Sequence, residues 1–148
     1  MGNSALIGGL FAFVFIAVLI LILVFFLLTL QNALKQVDES RREVQPGNVW
    51  LMFIPIFNLI YPFILYPKVC NSIKAEYNAR ELQGDGNFSK GLGITLAVLG
   101  LVGFIPILGS IASIANLIIW IIFWVKIAGY KNVLSSNNAN SAILDIEA

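Results

Sequence analysis

Residues 5–34 and 91–125 contain no Asp, Glu, Lys, Arg or His, and that absence decides the solvent in which this chain can fold. As helix at 1.5 Å per residue, 5–30 alone extends roughly 39 Å, beyond the hydrocarbon core of about 30 Å. Among acyl chains every peptide group must be paired inside the protein, so coiling is the available form. Composition agrees: 59% of residues are apolar and 11% charged, where a soluble domain carries about 25% charged residues. Nine basic residues against eight acidic give a net charge of +1, which offers no field for nucleic acid. Histidine is absent and Cys70 is the single cysteine. A disulfide framework, a His/Cys zinc site and the Ser-His or Cys-His catalytic pairs are therefore not expected, and neither is a metal or other cofactor.

The residues predict an all-α integral membrane protein forming one membrane domain. Segment 5–30 is expected as a transmembrane helix. A cleaved leader is not expected, because residues 1–4 hold no Lys or Arg and 25–30 is bulky. Residues 31–46 carry Lys35, Asp38, Glu39, Arg41, Arg42 and Glu43, with apolar Leu30, Leu34, Val37 and Val44 at helical spacing. They predict a polar extension of that helix with an Asp38–Arg42 pair, stopped at Pro46 and Gly47. Segment 47–67 is uncharged but interrupted by Pro55, Pro62 and Pro67 and contains Asn58. It fits either a proline-kinked span or a re-entrant hairpin turning at 55–58, which is tolerated at depth only where protein surrounds it. Residues 68–83 predict an amphipathic helix, with Val69, Cys70, Ile73 and Tyr77 on one face, Lys68, Lys74, Glu76, Arg80 and Glu81 mostly around the other, and a Glu76–Arg80 pair. Segment 91–130 is too long for one span and predicts a helical hairpin turning at 106–109. Trp120, Trp124, Lys126, Tyr130 and Lys131 are expected to mark its exit as an aromatic belt followed by cations. The Ser- and Asn-rich stretch 132–148 is expected to be a flexible tail.

The distribution of cations bears on the two alternatives for 47–67. If that segment crosses, Lys35, Arg41 and Arg42 face one side and Lys68, Lys74, Arg80, Lys90, Lys126 and Lys131 the other, giving four spans. If it re-enters, three spans remain and all nine cations share the cytoplasmic side, which the positive-inside rule prefers. Both arrangements place the carboxyl terminus in the cytoplasm. The tetrapeptide Phe-Ile-Pro-Ile occurs at 53–56 and again at 104–107, so a turn at the second suggests one at the first.

Hydrophobicity gives helices in lipid no reason to associate, so small and polar residues are the candidates for packing. Gly93, Ala97, Gly100 and Gly103 follow one face of one apolar segment, and Gly109, Ser113 and Asn116 follow one face of the next. Pro55, Asn58 and Pro62 are the candidates for the re-entrant turn or kink. Asn58 and Asn116 are the strongly polar side chains deep in apolar sequence, and each needs a partner. Cys70 reads as a small packed apolar residue. Without carboxylate, His or Arg in the apolar segments, ion-coupled transport and intramembrane proteolysis are not expected.

The stretch Gln45-Pro46-Gly47-Asn48-Val49-Trp50-Leu51, the following Ile54-Pro55-Ile56-Phe57-Asn58, and Trp124-Val125-Lys126-Ile127 resemble a group of small uncharacterised bacterial multi-pass membrane proteins known as domains of unknown function. The likeness covers residues 20–132. It implies the inner (cytoplasmic) membrane of a bacterium and carries over no catalytic residue. The function expected is non-enzymatic action through protein contacts, as an accessory, scaffold or self-associating subunit in the lipid bilayer, with a membrane-protein partner or a homo-oligomer. The alternative is an oligomeric channel or facilitator for a small solute, with Asn58 near its constriction.

Overall fold

The computed structural model describes the backbone of residues 2–103 and 106–147, and the surroundings of side chains 6–103 and 112–144. Among the described residues it is all-helical, without strands. The long elements are α1 (Gly2–Lys35), α2 (Pro55–Ile60), α3 (Pro62–Ala79), α4 (Lys90–Val102) and α5 (Pro106–Glu147), with 3-10 turns at Glu39–Arg41 and Pro46–Phe53. Two helices are long and apolar enough to cross a membrane, over Leu6–Lys35 and Ala112–Leu144. Only 11% of the most apolar window of the first is buried by protein, which is not how the core helix of a soluble domain behaves. At 13 residues, α4 extends about 20 Å, less than a hydrocarbon core.

Every long helix contributes to a common set of layers. On α1 the residues Phe26, Leu27, Leu30, Ala33 and Leu34 are buried, a stripe at helical spacing, and Val37 just beyond its end is buried with them. On α3 Leu65, Tyr66, Val69, Cys70, Ile73 and Tyr77 meet it, and Phe123, Ile127 and Leu134 of α5 complete the core. The rings of Phe26, Tyr66 and Phe123 form a triangle with centroids 5.2–6.4 Å apart. Gly93 of α4 closes that layer, since a Cβ there would lie 2.8 Å from Tyr66 Cβ and 3.2 Å from Phe123 Cε2. To one side of the triangle lie the rest of the core and the charged residues; we call this the charged end. To the other lie the apolar ends of the helices, where α1 is exposed at every position from Leu6 to Leu21.

The predicted helical extension over 31–46 is corrected. Helix α1 stops at Lys35 because its last carbonyls find other donors: Val37 N–H bonds Leu34 O, and Arg42 Nε donates to both Leu34 O (2.9 Å) and Val37 O (2.8 Å). The Asp38 amide, which a continuing helix would direct at Leu34, instead donates to Glu76. Asp38 caps the next 3-10 turn through Ser40, and Arg42 pairs with Glu39 rather than with Asp38.

Within 47–67 the chain runs through the 3-10 turn to an extended Ile54, a conformation that a following proline favours. The turn expected at 55–58 is corrected: Pro55 starts α2 and Pro62 starts α3, each where a missing N–H costs least. The helix predicted over 68–83 thus begins earlier, at Pro62, carries Pro67 inside it, and ends at Ala79. The flanks of the segment meet: Glu43 N–H donates to Ser72 Oγ at 2.9 Å, and Asn71 Nδ2 donates to Glu43 Oε2.

Two further expectations are corrected. Pro106 is the first residue of α5 rather than part of a turn at 106–109. The break after α4 begins at Gly103, and the remainder of it, with Phe104 and Ile105 of the repeated tetrapeptide, lies outside the described residues. The tail predicted to be flexible continues α5 to Glu147. Leu134 is fully buried, and Asn138 Nδ2 donates to Gln36 Oε1, so polar composition here serves docking rather than solvation.

Candidate functional site

Two sites stand out, one on each side of the ring triangle. At the charged end Glu76 is the organising residue. Its side chain is 1% exposed, although helical periodicity places it on the polar face of α3. One carboxylate oxygen accepts from Arg41 Nε at 2.7 Å and from the Asp38 amide at 3.0 Å; the other accepts from Arg80 Nε at 2.6 Å. Burial by itself would raise the Glu76 pKa, but the bonds from Arg41, Asp38 and Arg80 outweigh it and hold the carboxyl below its ordinary value. Arg80 also reaches Gln36 O, Leu134 O and Asn138 Oδ1. A single guanidinium therefore joins the end of α1, the end of α3 and the polar half of α5.

Beside it, Asp85 accepts from Lys126 Nζ at 2.8 Å, from Tyr130 Oη at 2.5 Å and from the Phe88 amide at 2.7 Å. Burial opposes the charge on Asp85, and Lys126, Tyr130 and the Phe88 amide more than compensate, leaving its pKa lowered. Phe88 and Ser89 take positive φ, 46° and 61°, a strained choice for side-chain-bearing residues. Phe88 is held there against Tyr77 and Tyr130, and Ser89 Oγ lies 3.2 Å from Tyr130 Oη. Cys70 is buried and its thiol is pushed up to about 12, chiefly by burial, so it stays protonated in place.

Beyond the triangle lies a groove of about 540 Å³ between α1, α2, α3, α4 and α5. The sequence candidates fall on it unevenly. Pro55, Asn58, Pro62, Ala97, Gly100, Ser113 and Asn116 line it. Gly93 sits below, in the ring layer. Gly103 follows α4 and is exposed, while Gly109 is helical with surroundings outside the described residues. A Cβ on Gly100 would meet nothing within 4 Å, so that glycine lines space rather than a helix contact. Asn58 and Asn116 share the groove, but no hydrogen bond joins them among the described residues. Asn116 Oδ1 is buried without a hydrogen-bond partner.

Sequence reasoning missed Glu76 and Tyr66. The first was visible as a Glu76–Arg80 pair, which is present at 2.6 Å. Its partner Arg41 lies 35 residues away and left no local sign. Of the residues expected to mark the exit, Trp120 and Trp124 pack on Phe26, and Trp124 Nε1 donates to Thr29 Oγ1 at 2.9 Å. No family model, curated protein or solved structure matches the chain.

Proposed function

We propose that this is a non-enzymatic multi-pass protein of a bacterial inner membrane that works through contacts with other membrane proteins or with further copies of itself. The observation that carries the reading is the first half of α1. Over Leu6–Leu21 every position is exposed, Leu6 by 73% and Phe11 by 71%, so about 24 Å of apolar helix is left largely uncovered by the described residues. Lipid covers such a surface without penalty, and partner helices add close packing. The charged end, by contrast, is tied up in its own ion pairs.

In the topology we favour, α1, α4 and α5 make three passes. Segment 47–67 re-enters, and helix 68–79 lies on the cytoplasmic side with the carboxyl terminus. This is supported by the bonds that return the chain from Glu43 to Ser72 and by the cation-bearing segments meeting at one end. The resemblance to small bacterial membrane proteins fits the same compartment.

A photoreactive amino acid placed singly at each position from 6 to 21, in native membranes, tests the contact reading. Protein adducts at positions repeating along one face of α1 are expected; sixteen positions without a protein adduct would contradict it. The facilitator reading draws support from Asn58 and Asn116 lining one groove, although the Phe26, Tyr66 and Phe123 rings close that groove toward the charged end within one chain. Asn58→Cys in a Cys70→Ser background decides it: labelling by a water-soluble thiol reagent favours a solute path, and no labelling rejects it.

A further inference from the structure

We propose that the groove beyond the ring triangle binds the hydroxyl end of an uncharged, single-chain membrane lipid, a long-chain alcohol in chemical class. Its volume of about 540 Å³ falls within the roughly 300–1,000 Å³ of small-ligand sites. Most of the wall is apolar, from Leu23, Met52, Leu59, Leu96 and Leu117, with Trp120 along one side. No Asp, Glu, Lys or Arg lines it, so a charged head would enter without a counter-ion, which is unfavourable at low dielectric.

What the groove does provide is unpaired neutral polarity. Asn116 Oδ1 is buried with no partner, and neither the Asn58 carboxamide nor the Tyr66 hydroxyl makes a hydrogen bond among the described residues. Tyr66 is 6% exposed. An amide oxygen and a phenol without partners cost free energy in an apolar setting, whereas Asn58 lines the groove at an exposed position; a hydroxyl, which both donates and accepts, suits Asn116 and Tyr66 together. The mouth identifies the source of the guest. Leu59, Leu101 and Leu117 line its exposed side with Pro55, Asn58, Gly100 and Ser113, the three leucines exposed by 40%, 41% and 55%, while the buried Phe26 and Phe123 rings lie toward the charged end. A ligand thus arrives from the hydrocarbon, head first, and leaves its chain among the lipids.

The test uses the full chain in membranes with three photoreactive probes: hexadecan-1-ol bearing a mid-chain diazirine, and the corresponding hexadecanoic acid and hexadecane. The alcohol is expected to label peptides containing Leu59, Leu101 or Leu117 saturably and to be displaced by plain hexadecan-1-ol, with the acid and alkane labelling weakly. Tyr66→Phe keeps the ring in its layer and removes only the hydroxyl; Asn116→Leu removes the amide. Each should raise the half-saturating alcohol concentration about tenfold, the size of one lost hydrogen bond in a buried site. Non-saturating labelling spread along positions 6–21, equal labelling by the alkane, or unchanged saturation in both variants would overturn the proposal.

Discussion

Glu76 and Asn116 are both polar side chains set among apolar helices, and they lie on opposite sides of the same three aromatic rings. Glu76 has the donors Arg41, Arg80 and the Asp38 amide around it, whereas Asn116 Oδ1 has none. The comparison teaches where this fold gets its cohesion. The charged end is assembled as a soluble domain would be, with a packed core under a saturated polar network. The far end keeps an open groove and a projecting helix, which an aqueous protein could not sustain and a bilayer tolerates.

The largest effect should come from the charged end. Glu76→Ala leaves two guanidinium groups and an amide facing a vacated site and is expected to destabilise the protein by about 3 kcal/mol, read as thermal unfolding in mild detergent. Asn116→Leu, the matching change beyond the rings, should leave the melting temperature unchanged or raise it; an equal loss in both would erase the contrast. Gly93→Ala is next. Its new methyl would meet Tyr66 Cβ at 2.8 Å, and the overpacking should outweigh the gain in helix propensity, for a net loss of about 1.5 kcal/mol. Gly100→Ala, facing open groove, should instead stabilise by about 0.5 kcal/mol.

Acid sharpens the same comparison. The Glu76 and Asp85 pKa values are both lowered in the fold, so their contribution is present above the unfolded carboxylate range and is lost as pH falls through the folded values. Melting temperature should therefore drop on acidification below about pH 4, and Glu76→Gln should flatten that dependence while Asn116→Leu leaves its slope intact. The smallest change is expected from Lys126→Met. Its pair with Asp85 is two-fifths exposed on both sides, and its loss should cost about 0.5 kcal/mol.

The membrane-crossing potential of α1 was legible because thirty neutral residues admit few alternatives, whereas Pro55, expected to open a turn at 55–58, starts helix α2. The charged end was not, for a physical reason. Glu76 falls on the polar arc of its own helix, and what buries it is a turn 35 residues upstream and the Arg80-bound end of α5, neither of which leaves a periodic trace. The Ser- and Asn-rich end of α5 misled in the same way: its composition is that of a solvated tail, yet Leu134 and Asn138 bond Arg80 and Gln36, just past the ends of α3 and α1. Pro106 was read as a breaker where it acts as a helix start. Of the candidate site, the two asparagines were legible through their polarity, while the groove that gathers them depends on all five helices packing together.

The most direct test of the central claim, that the charged segments share one face of the membrane, is accessibility of single cysteines in a Cys70→Ser background in oriented vesicles. Ser40→Cys, Gln83→Cys and Ser135→Cys should all react with a membrane-impermeant thiol reagent from the same side. Reaction of Ser40→Cys from the side opposite to Gln83→Cys would show that 47–67 crosses the bilayer, and would contradict the account.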